Sequence, residues 1–218
     1  PYRLPAGHEY HSTPSIGITL FSGPHNLSDD LMKRADLALY GAKAAGRNTL
    51  RFFDPAMQAA VTARASLEAD LRKALQQGQF VLHYQPLMAL ADGRISGMEA
   101  LLRWNDPERG LVPPMEFIPV AEDSGLIVPI GDWVLSEALR QRAEWTRAGV
   151  PEFRVEINLS PRQFHSPGLL ERIREVMDAT GVSPSAIGVE VTELGIIGNA
   201  DNARTTLFGL RDMGVHIL

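Results

Sequence analysis

Cysteine is absent from all 218 residues, which excludes a disulfide framework, thiolate metal ligation and a cysteine nucleophile, and fits a reducing cytosol. No apolar run approaches the ~20 residues that span a bilayer, and no signal peptide opens the chain. Positive charge is not in excess either: 21 Lys and Arg against 26 Asp and Glu give a net charge of -5. Large nucleic acids and anionic membranes therefore meet no general electrostatic footprint, and a phosphate ligand has to be held by a local site. With 44% hydrophobic and 22% charged residues, what is present is an ordinary globular chain, long enough for one large domain or two small ones. It begins at Pro1 rather than Met and ends on Val215-His216-Ile217-Leu218, an apolar strand in progress. Both ends are expected to be cuts in a longer protein.

Pro14 to Phe21 alternates through Ile16, Ile18 and Leu20 and reads as a strand. Asp29 to Ala45 carries a helical apolar face, with Ser28 or Asp29 as N-cap and Gly46 as the stop. Arg47 to Phe53 reads as a second short strand. From Asp54 to Gln77 good helix formers run up to Gly78, either as a stiff helical linker or as a packed helix of one domain. Beyond Gln79 strands alternate with helices. Phe80 to Ala89 and Arg94 to Trp104 are strands joined at Asp92-Gly93, and Met115 to Ser124 and Asp132 to Ala148 are helices. Phe153 to Leu159 is a strand, Leu169 to Thr180 a helix, Ile187 to Thr192 a strand, Asp201 to Met213 a helix, and Val215 opens another strand. This order predicts parallel βαβ units and an α/β fold, as a barrel or as an open sheet.

Three of the strands carry a polar residue late in an apolar run: Glu99, Asn158 and Glu190. A buried carboxylate needs a cation, a metal or a hydrogen-bond network. Parallel α/β folds gather ligands at the carboxyl ends of their strands, where two Glu and one Asn would offer hard oxygens suited to Mg²⁺ or Mn²⁺. The same pattern is also met by residues pointing singly into solvent.

The order and spacing of Leu82-His83-Tyr84-Gln85-Pro86, Gly97-Met98-Glu99-Ala100-Leu101-Leu102-Arg103-Trp104, Phe117-Ile118-Pro119-Val120-Ala121-Glu122, Ile157-Asn158-Leu159-Ser160 and Glu190-Val191-Thr192-Glu193 resemble the EAL domain over residues 79–218. Ser15-Ile16-Gly17-Ile18 and the run from Ala35 to Asn48 resemble the C-terminal end of a GGDEF domain. The resemblance implies an incomplete (β/α)8 TIM-type barrel preceded by a GGDEF remnant: a tail at 1–53, a helical linker at 54–78, and the N-terminal half of the EAL domain at 79–218. It implies hydrolysis of cyclic-di-GMP to pGpG by a parent GGDEF-EAL signalling protein with two Mg²⁺ or Mn²⁺ ions. The alternative is a degenerate EAL domain that serves as a cyclic-di-GMP receptor or interaction module.

By motif, Glu99, Asn158 and Glu190 match metal ligands, and Glu193 matches the glutamate that steadies a loop over the site. Gln85, Leu101 and Arg103 match substrate-binding positions, although Arg103 could equally pair with Asp106 or Glu108. Lys43 and Arg47 match phosphate contacts of the GGDEF side, and cations at a helix C-terminus are also favoured with no ligand. The family continues past the last strand into a paired-aspartate stretch that lies beyond Leu218, so the 218 residues alone are expected to be inactive. A cytoplasmic location, with any membrane anchor in upstream domains, and an EAL-EAL homodimer complete the implied picture. His8 and His11 lack a completing zinc ligand, and the Asn-Leu-Ser triplets at Asn26 and Asn158 lack any sign of secretion; neither pattern is taken further.

Overall fold

Glycine punctuation and helix-forming stretches place most elements within a few residues of where the pattern puts them. The computed structural model describes residues 2–3, 9–10, 12–22, 28–192 and 200–218, with the backbone alone described at 2–3, 9–10 and 200–201. The chain divides into two units, Pro1–Ser66 and Leu67–Leu218.

In the first unit, β1 (Tyr2–Arg3) and β2 (Glu9–Tyr10) pair antiparallel. Strands β3 (Ile16–Ile18) and β4 (Leu50–Phe52) pair parallel and are joined by α1 (Ser28–Ala44). Parallel neighbours need such a crossover. Ala38 and Ala42 bury one face of α1 completely. Beyond α1 the chain turns through three consecutive left-handed residues, Gly46, Arg47 and Asn48, with φ of 100°, 63° and 48°. The strand expected from Pro14 to Phe21 is thereby cut to the three residues that find a partner in β4.

Helix α2 (Pro55–Gln77) contains the boundary between the units. Pro55 stands at its first position, and Asp54 Oδ1 accepts the Ala56 N–H at 2.9 Å. Leu71 and Ala74, in its second half, belong to the core of the second unit.

That unit is built on a sheet ordered β10-β9-β8-β6-β5. Its strands are β5 (Phe80–Met88), β6 (Ile95–Asp106), β8 (Arg154–Leu159), β9 (Ile187–Val191) and β10 (His216–Ile217), with β7 (Gly110–Val112) paired to β6 as a hairpin. β6, β8, β9 and β10 run parallel, as the alternation of elements predicts. β5 is antiparallel to β6, a departure with a simple cause: the connection through Gly93 (φ 69°) is too short for a crossover. Helices α3 (Pro114–Ser124) and α4 (Ile127–Arg147) lie between β7 and β8 in the chain. A short α5 (Pro161–Phe164) and α6 (Leu169–Thr180) precede β9, and α7 (Ala200–Met213) precedes β10. Helix α4 starts five residues before the Asp132 that the pattern suggests. Pro129 and Gly131 conceal that first turn in the sequence, yet a proline there removes no hydrogen bond, because the first four helical N–H groups have no intrahelical acceptor.

Alternation gives the sheet two unlike faces. Ala100, Trp104, Val155, Ile157, Leu159, Ile187 and Val189 are buried in the core. Residues of the opposite parity, among them Glu99, Asn158 and Glu190, share the other face.

Helix α5 fixes the chain immediately after Asn158. Ser160 Oγ accepts the Gln163 N–H at 3.2 Å, and Gln163 Oε1 accepts the Ser160 N–H at 3.2 Å, forming a capping box. Gly131 leaves the space that Gln163 fills: a Cβ there would lie 1.5 Å from Gln163 Nε2. Ser160→Ala should therefore lower stability by about 1 kcal/mol, measured as a lower midpoint of urea unfolding. An unchanged midpoint would show that the box contributes nothing.

Candidate functional site

The parallel register brings the polar residues of three strands into line. Glu99 on β6 pairs with Glu156 on β8, and Asn158 on β8 pairs with Glu190 on β9. Paired residues of adjacent strands project to the same face, as do residues two apart on one strand. Glu99, Glu156, Asn158 and Glu190 thus form one polar row across β6, β8 and β9.

Asn158 Nδ2 donates to Glu99 Oε1 at 2.9 Å, joining the first two strands through side chains. Glu190 carries a carboxyl pushed above the ordinary acid range, first by burial, then by the negative charges of Glu99 and Glu156, and by a hydrogen bond with Glu156. The row is therefore an acidic concentration that favours a proton or a cation. Among the described residues, no group of three or more His, Cys, Asp or Glu is arranged to hold a metal ion, so the Asn158 amide oxygen would have to complete any such set.

The other expected residues divide by position. Gln85 on β5 stands directly opposite Glu99 in the antiparallel register and is exposed. Leu101 and Arg103 follow Glu99 at steps of two on β6 and are half-buried on the same face. Arg103 Nη1 donates to the Leu102 carbonyl at 2.8 Å. Its alternative role in a pair with Asp106 or Glu108 is not seen. Asp106 instead accepts the Glu108 and Arg109 backbone N–H groups at 2.9 and 2.8 Å, and Arg109 Nη2 at 3.2 Å. Lys43, in the last turn of α1, and Arg47, just past it, are both exposed in the first unit. Glu193, His8, His11 and Asn26 lie outside the described residues.

Glu156 is the residue that sequence reasoning passes over. It is 6% exposed, and the Arg154 Nε lies 3.8 Å from its Oε1. Its signal was the two-residue spacing from Asn158, which sets both on one face.

Oxygen-bearing side chains aligned on one face of parallel strands, with the opposite face packed into the core, define a mixed α/β domain. The chain belongs to the EAL domain family, whose model matches residues 68–218. A bifunctional diguanylate cyclase/cyclic di-GMP phosphodiesterase, MucR of Pseudomonas aeruginosa, is 42% identical over 217 residues, which is 100% of this chain and 32% of that protein. An uncharacterized signaling protein of Caulobacter vibrioides is 41% identical over 97% of this chain and 26% of its own length. The cyclic di-GMP phosphodiesterase PdeR of Escherichia coli is 37% identical over 96% of this chain and 31% of its own length. The chain thus spans between a quarter and a third of these relatives.

Among solved structures, the PaMucR phosphodiesterase in complex with c-di-GMP is 43% identical with a TM-score of 0.67, covering 70% of this chain and 62% of that one. The EAL enzyme Bd1971, with cAMP and cyclic-di-GMP bound, is 30% identical with a TM-score of 0.69, covering 87% and 50%. The mixed α/β architecture fits the TIM-like EAL fold of these neighbours. Among the described residues no helix is long and apolar enough to cross a membrane.

Proposed function

We propose that this chain forms part of a metal-dependent phosphodiesterase that hydrolyses cyclic-di-GMP to linear pGpG. The observation that carries the reading is the shared face of Glu99, Asn158 and Glu190 on three consecutive parallel strands. Two carboxylates and a carboxamide form a hard-oxygen set that fits Mg²⁺ or Mn²⁺. Burial, and after it the repulsion of Glu99 and Glu156, raises the Glu190 carboxyl, and a divalent cation would relieve that repulsion. Relatives and a solved neighbour bearing the phosphodiesterase name, one of them in complex with c-di-GMP, support the same chemistry.

Bound divalent metal supplies Lewis acidity toward a phosphate oxygen and a more acidic water. Glu99, Asn158 and Glu190 would hold it. Arg103 would offer the ligand's phosphate a charge-assisted hydrogen bond, Gln85 and Leu101 would flank the base, and Glu193 would steady the loop above. Arg103's present bond is to a neighbouring carbonyl, so no partner carboxylate has to be displaced.

In the same reading, residues 1–53 are the C-terminal end of a GGDEF domain, 54–78 the connecting helix and 79–218 the first half of an EAL barrel. The match to MucR, named a cyclase as well as a phosphodiesterase, runs across the whole chain and supports this assignment, as does the β3-α1-β4 unit. Lys43 and Arg47 would then be phosphate contacts of the GGDEF side. The absence of cysteine suits the cytosol, where we place the domain.

Chromatographic assay of the full-length protein tests the reading. Cyclic-di-GMP should be converted to pGpG with Mg²⁺ or Mn²⁺ and persist in EDTA. Binding without conversion in either metal would make the protein a receptor, and neither binding nor conversion would overturn the ligand itself.

A further inference from the structure

Glu156 combines three features that a solvent-facing strand residue would lack. It is 6% exposed, and burying a carboxylate has a cost that specific partners must offset. It pairs in register with Glu99 on one side, and on the other a hydrogen bond with Glu190 is among the causes that raise that carboxyl. And the sheet leaves it room: glycines stand on both neighbouring strands where a side chain would crowd it. A Cβ on Gly188 would come within 2.9 Å of Glu156 Cγ, and one on Gly97 within 3.1 Å of its Oε1.

The simplest competing role is neutralisation of Arg154, two residues earlier on the same face. The two form an ion pair, but a loose one. Arg154 Nε stands 3.8 Å from Glu156 Oε1, outside hydrogen-bond range, and is buried with no hydrogen-bond partner. A pair built for neutralisation would close to a direct hydrogen bond, leaving no buried donor unmet.

We propose that Glu156 is a positioning residue for the metal site, its buried carboxylate orienting Glu99 and Glu190 from beneath and adding fixed negative charge that tightens divalent-cation binding. The inference rests on the metal-dependent reading of Glu99, Asn158 and Glu190. Groups that orient ligand side chains set their geometry and basicity, and losing one typically weakens metal affinity by about 10- to 100-fold.

Mn²⁺ titration of the full-length protein without nucleotide, followed by isothermal calorimetry and by the spin-resonance signal of free Mn²⁺, tests this directly. Glu156→Gln preserves size and hydrogen-bonding capacity while removing charge, so Mn²⁺ affinity should fall about 10-fold with the unfolding midpoint unchanged. Glu156→Asp, which keeps the charge, should recover part of the loss. In turnover assays the Glu156→Gln defect should appear mainly in the Mn²⁺ concentration needed for half-maximal rate and shrink at saturating metal. Unaltered Mn²⁺ affinity in Glu156→Gln, or equal losses in the Gln and Asp variants, would make Glu156 a packing residue and overturn the proposal. Glu99→Gln separates the two readings. If it binds Mn²⁺ as the unaltered protein does, the metal assignment itself falls; if it loses Mn²⁺ while Glu156→Gln does not, only the role of Glu156 falls.

Discussion

Glu99→Gln in the full-length protein should reduce conversion of cyclic-di-GMP to pGpG by about 10³-fold, the scale of losing one preorganised charge-stabilising group, while the unfolding midpoint stays in place. The substitution is nearly isosteric. A glutamine carbonyl can still accept the Asn158 Nδ2 hydrogen bond that Glu99 Oε1 receives at 2.9 Å, so the link between β6 and β8 survives and the change isolates charge. Removing that charge leaves Asn158 and Glu190 as the other two of the three proposed ligands, too few to hold a divalent cation tightly. Residues that act as a unit are strongly non-additive, so adding Glu190→Gln should cost little beyond the single variant. Product formation is followed by chromatography, with nucleotide binding measured in parallel. Turnover within tenfold of the unaltered protein would remove Glu99 from the site.

Trp104→Ala should lower the stability of the second unit by about 3–5 kcal/mol, the usual cost of emptying a large aromatic position. Trp104 is fully buried and joins three kinds of interaction. Its ring lies 6.3 Å from Phe80 and, edge to face, 5.8 Å from Phe117. Arg109 stacks over it at 4.8 Å, and its Nε1 donates to Gln79 Oε1 at 3.1 Å. Set against a typical domain stability of about 5–15 kcal/mol, this loss would leave an appreciable unfolded population. Trp104→Phe should cost less, retaining most of the packing and losing the indole hydrogen bond, about 1 kcal/mol. Urea unfolding followed by circular dichroism reads both. A Trp104→Ala midpoint close to that of the unaltered protein would show that the aromatic cluster is not the centre of the core.

The strands were legible because apolar residues recur with period two, and the helices because their ends carry glycine, serine or proline. The candidate site was legible at Glu99, Asn158 and Glu190, each of which breaks an otherwise apolar run. Glu156 was not. Arg154-Val155-Glu156-Ile157-Asn158 is plain alternation, which reads as a strand with a wet face; only the register against Gly97 and Gly188 reveals that the face is closed at this point. The reversed direction of β5 was hidden for a related reason, since direction depends on connection length and not on the composition of the strand. Helix α4 was read short because Pro129 and Gly131 are poor helix residues by propensity, whereas position within the first turn decides whether a proline costs anything. Glu193 lies outside the described residues.

The two unlike faces of the sheet also bear on how this domain can change over generations. Point substitutions on the face that carries Glu99, Asn158 and Glu190 leave the helix-packed face untouched, so the polar row can change while the scaffold persists. Loss or gain of a single codon inside β6, β8 or β9 is a different event: it would exchange the two faces, sending Ile157 to the polar side and Asn158 against the helices. Length variation among descendants should therefore accumulate in connections such as residues 89–94, with the strands themselves drifting in identity and never in length.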